Sequence, residues 1–145
     1  MRIAIGSDHG GFDLKSILTE YLTAQGHEVV DSGCDNKDST DYPDYGFAVG
    51  EAVMRGEVER GIAVCTSGIG ICIAANKVSG IRAALCDSVL LAKLSRAHND
   101  ANVLCLGSSV VDETRAKAIV SAWLVTPFDG GRHIRRVQKL NEYRG

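Results

Sequence analysis

One turn, Cys65-Thr66-Ser67-Gly68-Ile69-Gly70, brings a thiol, two hydroxyls and two glycines together. The apolar run Ile62-Ala63-Val64 before it has no polar alternation, as expected of a parallel strand buried on both faces, and a helical pattern resumes near Gly70. The turn therefore joins a strand to a helix, and its glycines allow backbone angles that other residues resist. Free N–H groups at a helix N-terminus favour negative charge, so the loop can hold a phosphate, a carboxylate or an enolate-like oxyanion. Helix N-termini also lower thiol pKa values, which opens the roles of nucleophile and general base to Cys65. A small buried cysteine ending a core strand fits the same residue.

Other polar groups stand at comparable places. Asp8-His9-Gly10-Gly11 follows the first apolar run, and His98-Asn99-Asp100 stands between a helix and a strand. Arg132 and Arg136, four apart on a helix, share a face and could clamp a phosphate, or could form a solvated basic face. His9, His27, His98 and His133 lack the i, i+4 spacing that sets two ligands on one helix face, so no metal is implied. Gly68-x-Gly70 suggests dinucleotide binding, but Ile73 occupies the place of the third small residue. A cysteine phosphatase would close this loop with arginine where Ile71 stands.

The elements that must position these groups alternate. Strands are expected over 2–7, 27–31, 62–65, 82–86 and 102–107. Helices are expected from Phe12 to Gly26, from Tyr42-Pro43-Asp44 to Met54, from Gly70 to Lys77, over 88–97 with Asp87 as N-cap, from Asp112 and Glu113 to Leu124, and from Arg132 onward. In the last helix Ile134, Val137 and Leu140 are the apolar side. Strand alternating with helix predicts an α/β fold, a three-layer αβα sandwich around a Rossmann-like five-stranded parallel sheet with an extra C-terminal helix. At 145 residues, without linker or repeat, residues 1–145 form a single domain. Ligands of such folds bind outside the carboxyl ends of the strands, which joins Asp8-His9 and the Cys65 loop into one site.

A net charge of −2 with no block of like charge argues against nucleic acid or a membrane surface as partner. Five cysteines, an odd number without a Cys-x-x-Cys pair, suit a reducing cytosol. The opening Met-Arg-Ile-Ala-Ile-Gly leaves no room for a signal peptide, and no uncharged run reaches the ~20 residues of a membrane span. A soluble cytoplasmic protein is expected.

Gly6-Ser7-Asp8-His9-Gly10-Gly11, Asp41-Tyr42-Pro43-Asp44, Cys65 to Lys77, Gly80-Ile81-Arg82-Ala83-Ala84, His98-Asn99-Asp100-Ala101-Asn102 and Gly130-Gly131-Arg132-His133 run nearly end to end. Together they closely resemble the type B ribose-5-phosphate isomerases and their galactose-6-phosphate isomerase relatives. The resemblance implies an aldose–ketose isomerase without metal or cofactor, working as a homodimer or pair of dimers. It further implies Cys65 as the base moving a proton between C1 and C2, and His98 as the group that helps open the sugar ring. Substrate binding falls to Asp8, His9, Tyr42, Thr66, Ser67, Gly68, Ile69, Gly70, Asn99, Arg132 and Arg136. The chemistry agrees, since isomerisation needs a base, donors for the enediolate oxyanion and an acid for the ring oxygen. Cys65, the Ser67 to Gly70 amides and His98 fill those roles. A non-catalytic phosphosugar-binding protein would need the loop and the arginines but no base.

The sequence departs from that family at two places. Thr66 and Ser67 stand where Gly and Thr are usual, and Ser109 stands where a phosphate-binding arginine is common. The second change leaves a six-carbon sugar phosphate or a free sugar as alternatives to ribose 5-phosphate. His98 is also expected at the amino-terminal edge of the sheet, a strand length of roughly 17 to 20 Å from Cys65. That distance predicts that His98 and Asn99 complete the site of a partner subunit.

Overall fold

A computed structural model describes residues 1–145. Strands β1 (Arg2–Ser7), β2 (Glu28–Asp31), β3 (Arg60–Cys65), β4 (Ala83–Leu85) and β5 (Val103–Gly107) alternate with helices α1 (Phe12–Ala24), α2 (Tyr42–Met54), α3 (Ile69–Asn76) and α4 (Val89–Asn99). Helices α5 (Glu113–Val125) and α6 (Arg132–Glu142) follow, and a short 3₁₀ turn, His9–Gly11, precedes α1. All strands are parallel, in the order β2-β1-β3-β5-β4. The expected three-layer sandwich is therefore present.

The strands carry no polar alternation, yet they alternate in size. Ile3, Ile5, Ile62, Val64, Leu104 and Leu106 point into one core with Leu14 and Leu18 of α1 and Ile119, Val120 and Trp123 of α5. Ala63, Cys65, Val103 and Cys105 point the other way, against Val49 of α2 and Ile71 and Ala75 of α3. That second layer lies close: a Cβ on Gly6 would stand 2.7 Å from the Val49 side chain, and one on Gly46 would stand 2.7 Å from Ala74. Small residues on one face of β1 and β3 thus let α2 and α3 settle against the sheet.

The structure moves several boundaries. Ser88, not Asp87, caps α4, accepting from the Leu91 N–H at 3.1 Å. The helix continues to Asn99, so His98 and Asn99 lie in its last turn, and Asp100, in the left-handed conformation with φ 48°, ends it. In α6 the buried positions are His133 and Val137, whereas Ile134 and Leu140 are exposed. Of the expected aliphatic side only Val137 is buried, and His133 docks beside it.

Candidate active site

β1 and β3 are neighbours at the centre of the sheet, and after them the chain departs in opposite directions, to β2 on one side and toward β4 on the other. This is the switch point where parallel α/β sheets open a crevice. Asp8 and Cys65 meet there. The Asp8 N–H donates to the Val64 carbonyl at 3.3 Å, and its carboxylate accepts from the Gly11 N–H at 3.1 Å. A shallow hollow of about 480 Å³ is lined by Asp8, Tyr42, Cys65, Thr66, Ser67, Ile69, Gly70 and Ile73. Seven of these eight were expected from sequence; Ile73 is the addition.

The Cys65 loop is held from within and from behind. The Gly68 N–H donates to Cys65 Sγ at 3.2 Å, and the Ile69 N–H donates to Ser67 Oγ at 3.2 Å. Two of the amides expected to face a ligand are therefore engaged inside the loop, while the N–H groups of Ser67 and Gly70 have no acceptor in the chain. Gly68 has φ +80°, and a Cβ there would meet the backbone of Leu106 and Gly107 within 3 Å, so glycine is required both by conformation and by space. At Gly70 the Tyr42 ring takes the room of a side chain, 2.5 Å from an added Cβ. Behind the loop, the Ser108 N–H donates to the Cys65 carbonyl at 2.9 Å, and Ser109 donates to the Thr66 carbonyl through its N–H at 3.0 Å and its hydroxyl at 2.7 Å. Ser109 is thus a buttress of the loop. His9 stands beside Asp8, its Nδ1 accepting from the Thr40 N–H at 3.1 Å.

Cysteines are dense around this layer, and all five thiols are free. Cys72 on α3 donates to the Ala83 carbonyl at 3.6 Å; its neighbour Cys105 on β5 holds the Cys72 thiol below its ordinary range, while Cys72 and full burial raise Cys105 well above it. Burial pushes the Cys86 thiol up to about 11.

His98, Asn99, Arg132 and Arg136 do not join this hollow. Cys65 pairs in register with Gly107 at the end of β5, whereas α4 delivers His98 to the start of that strand. Five residues of strand separate the two levels by roughly 13 to 17 Å. At the far edge His98 stacks on His133, ring centroids 4.5 Å apart and planes 12° from parallel. Asp129 completes a group whose ligating atoms all lie within 4.8 Å of one another. The sequence spacing gave no sign of this pairing, because its members come from two helices and a loop. A metal ion could find three donors there, but the positive charges of Arg132 and Arg136, which also act on His133, oppose a cation. A larger concavity of about 560 Å³ opens at this same edge between the α3–β4 connection and α6, and Asn99 is the one expected site residue on it.

Residues to which sequence reading gave no role hold this edge together. Arg96, almost fully buried, donates to Asp100 Oδ1 at 2.8 Å, the Ala101 carbonyl at 2.7 Å and the Thr126 carbonyl at 3.2 Å. Arg82 donates to the carbonyls of Asn99 and Asp100, and Asn102 binds the Arg82 N–H and the Gly80 carbonyl. The motifs around Gly80-Ile81-Arg82 and Asp100-Ala101-Asn102 are the frame that presents His98 and Asn99.

A family model described as ribose/galactose isomerase matches residues 3–140. The chain belongs to the ribose/galactose isomerase family. Among members of that family, it is 50% identical over 139 residues to ribose-5-phosphate isomerase B of Escherichia coli, covering 96% of this chain and 93% of that one. Ribose-5-phosphate isomerase B of Clostridium thermocellum superposes with a TM-score of 0.97 at 53% identity, covering 98% and 96% of the two chains. The Mycoplasma genitalium enzyme, solved with bound ribulose-5-phosphate, gives 0.93 at 44% identity, covering 98% and 95%. Family membership and the hollow at the switch point thus agree on an isomerase of sugars.

Proposed function

We propose that this protein interconverts ribose 5-phosphate and ribulose 5-phosphate through an enediolate. The observation that carries the reading is Cys65 Sγ at the switch point, facing a hollow shared with Asp8 and bordered by unpaired amides. Cys65 takes the proton from C2 of the open-chain aldose and returns it to C1. The Ser67 and Gly70 N–H groups suit the charge that develops on oxygen meanwhile. Arg132 and Arg136 hold the phosphate, which fixes the reacting carbons from a distance. Ring opening comes first, and His98 serves it by passing a proton to the ring oxygen as the anomeric hydroxyl gives its own to solvent water.

These two groups of residues work together across two copies of the chain. The hollow is shallow, and Ile69 and Ile73 beside Cys65 are more than half exposed, an apolar border that a second copy would cover. A homodimer, alone or paired with another, brings His98, Asn99, Arg132 and Arg136 of one chain to Cys65 of the other. No helix is long and apolar enough to cross a membrane, and five unpaired thiols suit a reducing compartment, so we place the protein in the cytoplasm.

Subunit mixing tests the reading. Cys65→Ala and His98→Asn chains should each be inactive alone and regain activity when mixed and exchanged, because a mixed dimer holds one site with neither lesion. Absence of recovery despite proven exchange would place both groups in one chain.

A further inference from the structure

His98 lies in the last turn of α4, half-buried, on a side chain with two rotatable bonds. Proton transfer to a ring oxygen needs a fixed donor direction, so something must hold the imidazole. The ring facing it belongs to His133, which is only 8% exposed, with centroids 4.5 Å apart and planes 12° from parallel. Helix α6 has Ile134 and Leu140 available for docking yet exposes both and buries this histidine. Asp129 approaches both rings, and its N–H donates at 2.9 Å to the carbonyl of Ala97, the residue before His98, which ties the loop to the last turn of α4.

We propose that His133 is a positioning residue for His98, its buried imidazole fixing the His98 ring in the direction that delivers a proton to the sugar's ring oxygen. The inference rests on the ring-opening role assigned to His98 above. The groups facing His133 are His98 from α4, Arg132 and Arg136 from its own helix, and Asp129 from the loop. Burial first, then His98, Arg132 and Arg136 nearby, hold the His133 imidazole below its ordinary value, with Asp129 pulling the other way.

A substrate that needs no ring opening separates this role from the rest of catalysis. Ribulose 5-phosphate, whose C5 oxygen is esterified, cannot close a furanose ring, so exchange of its C1 hydrogen in D2O reports the Cys65 step alone. His133→Asn should lower kcat for ribose 5-phosphate about tenfold or more with KM changed less than about threefold, while C1 exchange followed by NMR stays near wild type. His133→Phe, which keeps a flat ring against His98, should recover much of the loss. Unchanged kcat in His133→Asn, an equal fall in exchange, a rise in KM alone, or equal loss in His133→Phe would each overturn the proposal. His98→Asn is the control for the underlying role: if it turned over ribose 5-phosphate normally or lost C1 exchange, the ring-opening reading itself would fail. Thermal melts of both His133 variants separate these effects from misfolding.

Discussion

Ser109 spends its side chain on the Cys65 loop, where the 2.7 Å bond to the Thr66 carbonyl is made by a hydroxyl too short to reach far into the hollow. The same carbonyl also receives the Ser109 N–H, so Ser109→Ala removes one of two donors and should cost only about 0.5 to 1.5 kcal/mol. A phosphate contact from arginine would be worth about 1.5 to 3 kcal/mol, roughly 10- to 150-fold. With Arg132, Arg136 and His9 still present, we expect Ser109→Arg to raise kcat/KM for ribose 5-phosphate less than about tenfold. The wild type should prefer that sugar to allose 6-phosphate and free ribose. A larger gain would show that a cation is missing, and a reversed preference would reassign the substrate. At this scale the loop was legible: a thiol, a hydroxyl pair and glycines in one turn already marked a strand-to-helix turn bordering a hollow. What could not be read was which amides the loop consumes itself, since the Gly68 N–H bond to Cys65 Sγ depends on a left-handed glycine closing the turn.

Among the elements, α4 and α6 differ most from expectation, and both differences have a polar cause. Helix α4 runs past its expected end because Arg96 and Arg82 satisfy the carbonyls of its last turn and of the residues beyond. Those arginines lie 14 residues apart in sequence, and nothing in helical periodicity connects them. Helix α6 docks through His133, which has a pH consequence. A histidine held below its ordinary value binds fewer protons folded than unfolded, so its contribution is complete above about pH 6.5 and is lost as pH falls through the depressed folded value. Thermal melts from pH 7.5 to 5 should show the wild type losing Tm faster than His133→Asn, narrowing the gap between them on the acid side. A gap that held constant or widened would mean that His133 docks without regard to its charge.

For the whole molecule, the alternation of strand and helix was enough to anticipate a covered parallel sheet, but not its order. That β5 inserts between β3 and β4 depends on how Val103, Leu104 and Cys105 pair with Gly61, Ile62 and Ala63 on one side and Ala83, Ala84 and Leu85 on the other. Size alternation along β1 and β3 could have told the two faces apart, since Ile3 and Ile5 against Ala4 and Gly6 already distinguish a thick layer from a thin one. The separation of Cys65 from His98 by a full strand, by contrast, was readable from connectivity and reappears in the register. If the two edges serve one reaction as proposed, the rate becomes a matter of concentration. A chain with Cys65 on one edge of the sheet and His98 on the other would then hold two halves of different sites, and by itself complete neither. Specific activity should therefore be constant while the enzyme is concentrated and fall on dilution, with initial rate approaching the second power of protein concentration. A strictly first-order dependence, with sedimentation showing single chains at the same dilution, would mean that one chain suffices.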